Sequence, residues 1–172
     1  MRSLRPTTLL LAVLLAPVLT MGAARAQGTE IAFGETRHDA SLPVEITAES
    51  LELDQGAGTA VFIGGVRVGQ GMLRLAADRV EVFYAEAPDG GQSTVERLEA
   101  LGNVTLANGD QAAESDSAHY DVASGIVEMS GDVVLTQGPN ALSSQSLRID
   151  LATGTGTFEG RVRTIFAPGT GQ

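Results

Sequence analysis

The chain has 172 residues, with 21 acidic against 11 basic side chains, two histidines, no cysteine and a net charge of −10. That balance excludes a nucleic-acid binder, whose affinity rests on neutralising phosphates with Lys and Arg, and argues against docking on an anionic membrane surface. The absence of cysteine excludes a disulfide framework and a thiolate metal site, so the core and the strand ladders alone must hold the fold.

Residues 1–26 read as a cleaved signal peptide. Arg2 and Arg5 give a positive start, Leu9 to Val18 an apolar core, and Ala24-Arg25-Ala26 a small-x-small cleavage site. The apolar run falls short of the roughly 20 residues of a membrane span; an uncleaved anchor is the alternative. Removing the segment takes three of the 11 cations, all of them Arg, and leaves eight against 21 acids, a net of −13. Such a charge serves solubility.

Residues 27–42 have mixed polarity and no clear period, and read mostly as a mobile arm in which Ile31 and Phe33 could start a strand. From Pro43 the apolar residues alternate: Val44, Ile46 and Ala48, then Leu51 and Leu53 up to the turn at 55–58. Phe62, Val66 and Val68 follow, then Leu73, Leu75, Val80 and Val82 after the turn at Gln70-Gly71. Alternation over short segments with Gly-rich turns about every 8 to 12 residues is the pattern of an all-β sandwich or barrel. Leu73, Ala76, Ala77 and Val80 also fit a helical stripe, and Ser93-Thr94-Val95-Glu96 resembles a helix cap; strand is preferred at both. Val104 and Leu106 lead to Asn108-Gly109, a strong hairpin dipeptide. Further alternations precede Gly125, Gly131, Gly138, Gly154 and Gly160, and 167–172 is a flexible Gly/Pro tail. Short strands and turns give on the order of 14 to 16 strands.

The pattern recurs. Gly-x-Val stands at Gly64-Gly65-Val66, Gly102-Asn103-Val104, Gly131-Asp132-Val133 and Gly160-Arg161-Val162, at glycine spacings of 38, 29 and 29. A second marker stands at Leu51-Glu52-Leu53-Asp54, Val80-Glu81-Val82-Phe83, Ala118-His119-Tyr120-Asp121 and Leu147-Arg148-Ile149-Asp150, at spacings of 29, 38 and 29. Both imply a 29-residue unit with one insertion of nine, which Ala85 to Ser93 fits. Fixed-period self-similarity is the signature of a stacked architecture.

The alternation assigns an inward set: Ile46, Leu53, Phe62, Val66, Val68, Leu75, Val82, Val104, Leu106, Tyr120, Met129, Val133, Leu135, Ile149, Phe158 and Val162. These are mainly mid-sized aliphatics. They define either a filled core, as in any small sandwich, or an incompletely closed interior with an apolar groove. Catalytic readings are weak: His38 lies in the arm beside Asp39, and His119 should point to solvent, opposite Tyr120. Glu114-Ser115-Asp116 could hold Ca²⁺ or do acid/base work, but in so acidic a chain it reads as a solvated face. Asn103-Val104-Thr105 matches a glycosylation sequon by chance. No enzyme, no metal and no cofactor is read.

Ile46 to Asp54, Phe62 to Gly71, Ala77-Asp78-Arg79-Val80 and Gly131 to Gly138 together resemble the LptA (OstA-type) periplasmic lipopolysaccharide-transport proteins over 43–166. The resemblance implies an incompletely closed β-jelly roll, a twisted two-sheet sandwich of the stacked units. It also implies that the inward set binds the acyl chains of lipopolysaccharide. Implied partners are inner-membrane LptC-like and outer-membrane LptD-like jelly rolls, met by edge-strand pairing, and further copies stacked head to tail. LptC-like relatives keep a membrane anchor, so the cleavage site favours the soluble type. By this analogy the two edges lie near Val44 to Ala48 and Phe158 to Phe166. The alternative is an exported structural or adhesive β-solenoid with a filled core and no cargo.

Overall fold

The computed structural model describes residues 29–34, 38–85 and 94–166; the expected signal peptide, the loop 86–93 and the tail 167–172 lie outside these. Every regular element among them is a strand: β1 (Thr29–Ala32), β2 (Glu45–Thr47), β3 (Ser50–Asp54), β4 (Thr59–Gln70), β5 (Leu73–Ala85), β6 (Thr94–Asn108), β7 (Gln111–Asp121), β8 (Ile126–Gln137), β9 (Asn140–Asp150), β10 (Thr155–Glu159) and β11 (Arg163–Ile165). Both stretches with helical character are strand, in β5 and β6.

The strands form one antiparallel meander in the order β1-β10-β9-β8-β7-β6-β5-β4-β2, with β3 also pairing β4 and β11 also pairing β9. The two ends of this sheet do not meet, so the roll is not closed. Among the described residues the expected 14 to 16 short strands are 11, because β4 to β9 run for 11 to 15 residues each without stopping. They bend instead of ending.

The bend is the Gly-x-Val repeat. Gly64 and Gly65, Gly102 and Asn103, Gly131 and Asp132, and Gly160 and Arg161 are all left-handed in φ, two residues in a row. At each full crossing the ladder register shifts: Ile63 pairs Arg79 but Val66 pairs Ala77, Leu101 pairs Ser117 but Val104 pairs Ser115, and Ser130 pairs Ser146 but Val133 pairs Ser144. Two residues on one strand thus oppose a single residue on the next, which is a β-bulge and turns the strand sharply. Stacked in line, the bulges form one crease. It folds the meander into two half-sheets and makes one long strand do the work of two short ones.

Opposite each left-handed pair stands a fixed dyad, a small residue then an acid or amide: Ala48-Glu49, Ala77-Asp78, Ser115-Asp116 and Ser144-Gln145. The small residue points into the crease, where Ala77, Ser115 and Ser144 are buried. Ser115 Oγ and Ser144 Oγ donate to the carbonyls of Ser117 and Ser146 at 2.9 and 2.8 Å, bridging the bulge. The polar residue lies over the glycine. A Cβ on Gly64 would sit 2.5 Å from Glu49 Oε2, and one on Gly102 2.5 Å from Asp78 Oδ2. Backbone bonds close the two end corners, from Glu49 N–H to Gly64 O (3.1 Å) and from Gln145 N–H to Gly160 O (3.0 Å).

The second marker makes the turns. Its terminal Asp accepts backbone N–H bonds at Asp54 (from Gly56 and Ala57), Asp121 (from Ser124) and Asp150 (from Ala152 and Thr153), at 2.8 to 3.0 Å. The chain then reverses at a left-handed Gly58, Gly125 or Gly154. Phe83 replaces the Asp in the remaining unit, and there β5 runs on to Ala85. The bonds from Ser124 and Thr153 hold the carboxyls of Asp121 and Asp150 below their usual 3.8. A depressed carboxyl stabilises fully above its unfolded pKa, and the effect is lost as pH falls through the folded value. The urea midpoint is therefore expected to be flat from neutral pH down to the ordinary carboxylate range and to drop below 3.8. An Asp121→Ala/Asp150→Ala variant should start lower and lose part of that acid limb.

Candidate functional site: the inner faces and their open side

Alternation puts one face of each half-sheet inside. Val66 and Val68, Leu75 and Val82, Val104 and Leu106, Tyr120, Met129, Val133 and Leu135, Ile149 and Phe158 are all buried in one cluster. Ile46 and Phe62 are half-buried and pack against it. Two members of the inward set depart from expectation. Val162 lies outside any strand, between β10 and β11, and is 37 % exposed. Leu53 is 68 % exposed. Its cross-strand partner Ala60 is buried, and Leu51 likewise faces Phe62. Directly opposed residues share a face, so Leu51 and Leu53 belong to the inner surface but stand at the sheet's free edge, where nothing covers them.

The inward set also left out Leu73, Val80, Leu98, Val127, Leu142, Leu147 and Leu151, all buried. The bulge resets strand parity, so Ala77 and Val80 both face in although they are three residues apart. The recurring small-acid dyad marks where that reset falls.

The half-sheets meet at the crease and diverge toward two rows of turns. One lip carries the turns at 55–58, 122–125 and 151–154, the other those at 71–72, 109–110 and 138–139. Side chains from the two faces touch directly: Tyr120 Oη, on β7 near the first lip, donates to Gln70 Oε1, at the end of β4 on the second, at 2.7 Å. Burial, with the Asp121 charge as a smaller cause, pushes the Tyr120 hydroxyl up to about 12, so it stays a donor at any ordinary pH.

The described parts of the arm lie along this open side. Ile31 sits in β1, paired to β10, and Phe33 is buried with its N–H on Gly154 O at 2.7 Å. Gly34 N–H donates to Gln111 Oε1 on the opposite lip at 3.0 Å. His38 N–H donates to Leu151 O at 3.2 Å, while its Nε2 lies 3.0 Å from both Gln70 Oε1 and Tyr120 Oη. Gln70 Nε2 donates to the carbonyls of Ala40 (3.0 Å) and Leu42 (2.9 Å). No sequence pattern signals this use of His38; the trace it leaves is a glutamine and a tyrosine at inward-facing positions.

The outer faces carry the ion pairs, Arg79–Glu81, Arg97–Glu99 and Arg148–Glu128, with His119 near Glu99 at 3.8 Å. Exposed pairs of this kind add little stability. Glu114 is exposed, and Asp116 belongs to the crease. Among the described residues no group of carboxylates and histidines could hold a metal ion. A groove of about 460 Å³ lies beside the β2 edge between Glu45, Arg67 and Arg74; its mixed polarity does not suit an acyl chain.

Fold and site together define an open β-jelly roll with apolar inner faces and one long unsealed side. The chain belongs to the family described as LptA/(LptD N-terminal domain) LPS transport protein, which matches residues 45–155. Among solved structures it is similar to LptH of Pseudomonas aeruginosa, described as the LptA-homologous periplasmic component of the lipopolysaccharide transport device: TM-score 0.66, 19 % identity, covering 76 % of this chain and 99 % of that one. It is also 30 % identical over 102 residues to an uncharacterised protein of Rhizobium meliloti (strain 1021), 58 % of this chain and 55 % of that protein, so the match spans about half of that relative.

Proposed function

We propose that this protein binds lipopolysaccharide in the periplasm and forms part of a bridge that carries it from the inner to the outer membrane. Family membership supports the cargo. The observation that carries the reading is the uncovered inner surface at the free edge: Leu51 and Leu53 continue the buried face out to the end of the sheet, 49 % and 68 % exposed. A second jelly roll stacked there would extend the apolar path without a break. Each buried CH₂ is worth about 0.8 kcal/mol, so one fourteen-carbon chain costs roughly 11 kcal/mol to leave in water. A lipid with several such chains needs a continuous apolar route across an aqueous space. The acidic exterior repels phosphorylated sugars, so acyl burial must supply the affinity.

The two sheet ends are unlike, β2 and β3 at one and β1 and β11 at the other, and both leave strand edges as templates for pairing. Pairing of unlike edges propagates head to tail, which suits both self-stacking and docking on LptC-like and LptD-like domains. Ile165 and Phe166, 54 % and 75 % exposed, mark the second end. Ile165→Asp/Phe166→Asp is expected to shift the protein to monomers in sedimentation velocity; unchanged association would count against this edge.

The tight contact of the inner faces favours a second reading, a structural module with a filled core. Titration of the full chain with purified lipopolysaccharide, read by co-elution in gel filtration, separates the two. Co-elution supports the carrier, and its absence with folded protein supports the module.

A further inference from the structure

We infer that the described parts of the arm, 29–34 and 38–42, act as a strap that holds the open side shut in the empty protein, and that lipid loading displaces it. The inference rests on the carrier reading above and concerns how that same interior opens. Three observations carry it. The arm bonds alternately to the two lips, at Gly154 and Leu151 on one and at Gln111 and Gln70 on the other. It supplies a fully buried aromatic, Phe33, to the interior. The polar side chains it uses are themselves inside: Gln70 is 2 % exposed and Gln111 6 %, among a mainly apolar buried set.

Buried amides in an apolar wall need partners, and here the partners are the arm's own carbonyls and N–H groups. A direct polar contact across the interior, Tyr120 to Gln70, is tied into the same set through His38. Parting the lips far enough for an acyl chain must break that contact and free the arm with it. The strap therefore competes with acyl chains for one space. It keeps the empty interior dry, and yields only to a ligand that buries more apolar surface than Phe33 does.

The chain has no cysteine, so engineered thiols are unambiguous. Spin labels at Ser41→Cys on the arm and Ala123→Cys on the first lip report the strap's position. Purified lipopolysaccharide is expected to lengthen or broaden their separation. Gln70→Leu/Tyr120→Phe removes the latch while leaving no orphaned partner between the two, and should speed lipopolysaccharide capture about tenfold. Gly34→Cys/Asn108→Cys does the opposite. A Cβ on Gly34 would lie 3.6 Å from Asn108 Cβ, within disulfide range, although residue 34 has φ +86 and the bond will carry strain. Oxidised, this variant should capture lipopolysaccharide at least tenfold more slowly than the same protein reduced. Capture with an unmoved label pair, equal rates in the latch variant and no effect of oxidation would overturn the strap and leave the carrier standing. No capture by any variant, reduced or oxidised, would remove the carrier reading and the strap with it.

Discussion

Phe62→Glu is expected to leave the protein folded and to cut lipopolysaccharide affinity by at least a hundredfold. Phe62 sits on the inner face between Leu51 of β3 and Val80 of β5. It is only half-buried, so a carboxylate there can still reach water in the empty protein. With an acyl chain laid over it the carboxylate loses that water and gains no partner, and about 3 kcal/mol or more is lost, which is a hundredfold or more in affinity. Val133→Asp is the instructive contrast. Val133 is fully buried against the crease, so the charge has no refuge even without lipid, and the variant should fail to fold. Arg67→Glu, on the outer face of the same strand as Phe62, should bind normally. Equal binding by wild type and a folded Phe62→Glu would place the lipid elsewhere.

The largest effect on stability is expected at the crease. Gly102→Ala forces a side chain onto φ +76 and sets its Cβ 2.5 Å from Asp78 Oδ2, the oxygen that already accepts a 2.7 Å bond from Asn103 Nδ2. Backbone strain of about 1 to 3 kcal/mol and the displaced carboxylate together should cost about 3 kcal/mol, or on the order of 10 °C in Tm for a domain of this size. Gly138→Ala gives the comparison, since φ is +54 but no atom lies within 4 Å. It should cost about 1 kcal/mol. In Gly102→Ala/Asp78→Ala the steric part should be recovered and the backbone part should remain. Neighbouring changes of this kind are not additive, and thermal melts of wild type, Gly102→Ala, Asp78→Ala and the double variant measure the coupling. Equal losses at Gly102 and Gly138 would mean that the corner does not depend on the space the carboxylate fills.

Much of this architecture is written in the sequence because it repeats. The 29-residue unit is one hairpin of two long strands, and its two markers are the two places where the chain changes direction: left-handed pairs at the crease and Asp-started turns at the lip. The strand count came out too high because a glycine pair reads locally as a hairpin turn. Gly64-Gly65 in isolation cannot be told from a chain reversal; only the ladder across it, with Ile63 and Val66 both on β5, shows a bend. The same bulge resets the phase within β5, so Ala77 and Val80 both face in although three residues apart, and a strict two-residue count fails there. Leu53 shows a different limit. Its face is fixed by alternation, but its exposure depends on lying in the last strand of an open sheet, which no local pattern states. The arm was least legible. Beyond the short β1 ladder, its contacts with the lips at Gly34, His38, Ala40 and Leu42 are single hydrogen bonds to residues more than 25 positions away, and nothing periodic marks them.

The proposed function requires the inner faces to form a lipid path. Photoreactive residues placed singly at Phe62, Val133 and Arg67 of the full chain test it most directly with purified lipopolysaccharide. Adducts are expected at Phe62 and Val133 and none at Arg67. No adduct at either inner position, from protein that is folded, would contradict it and leave a filled structural core.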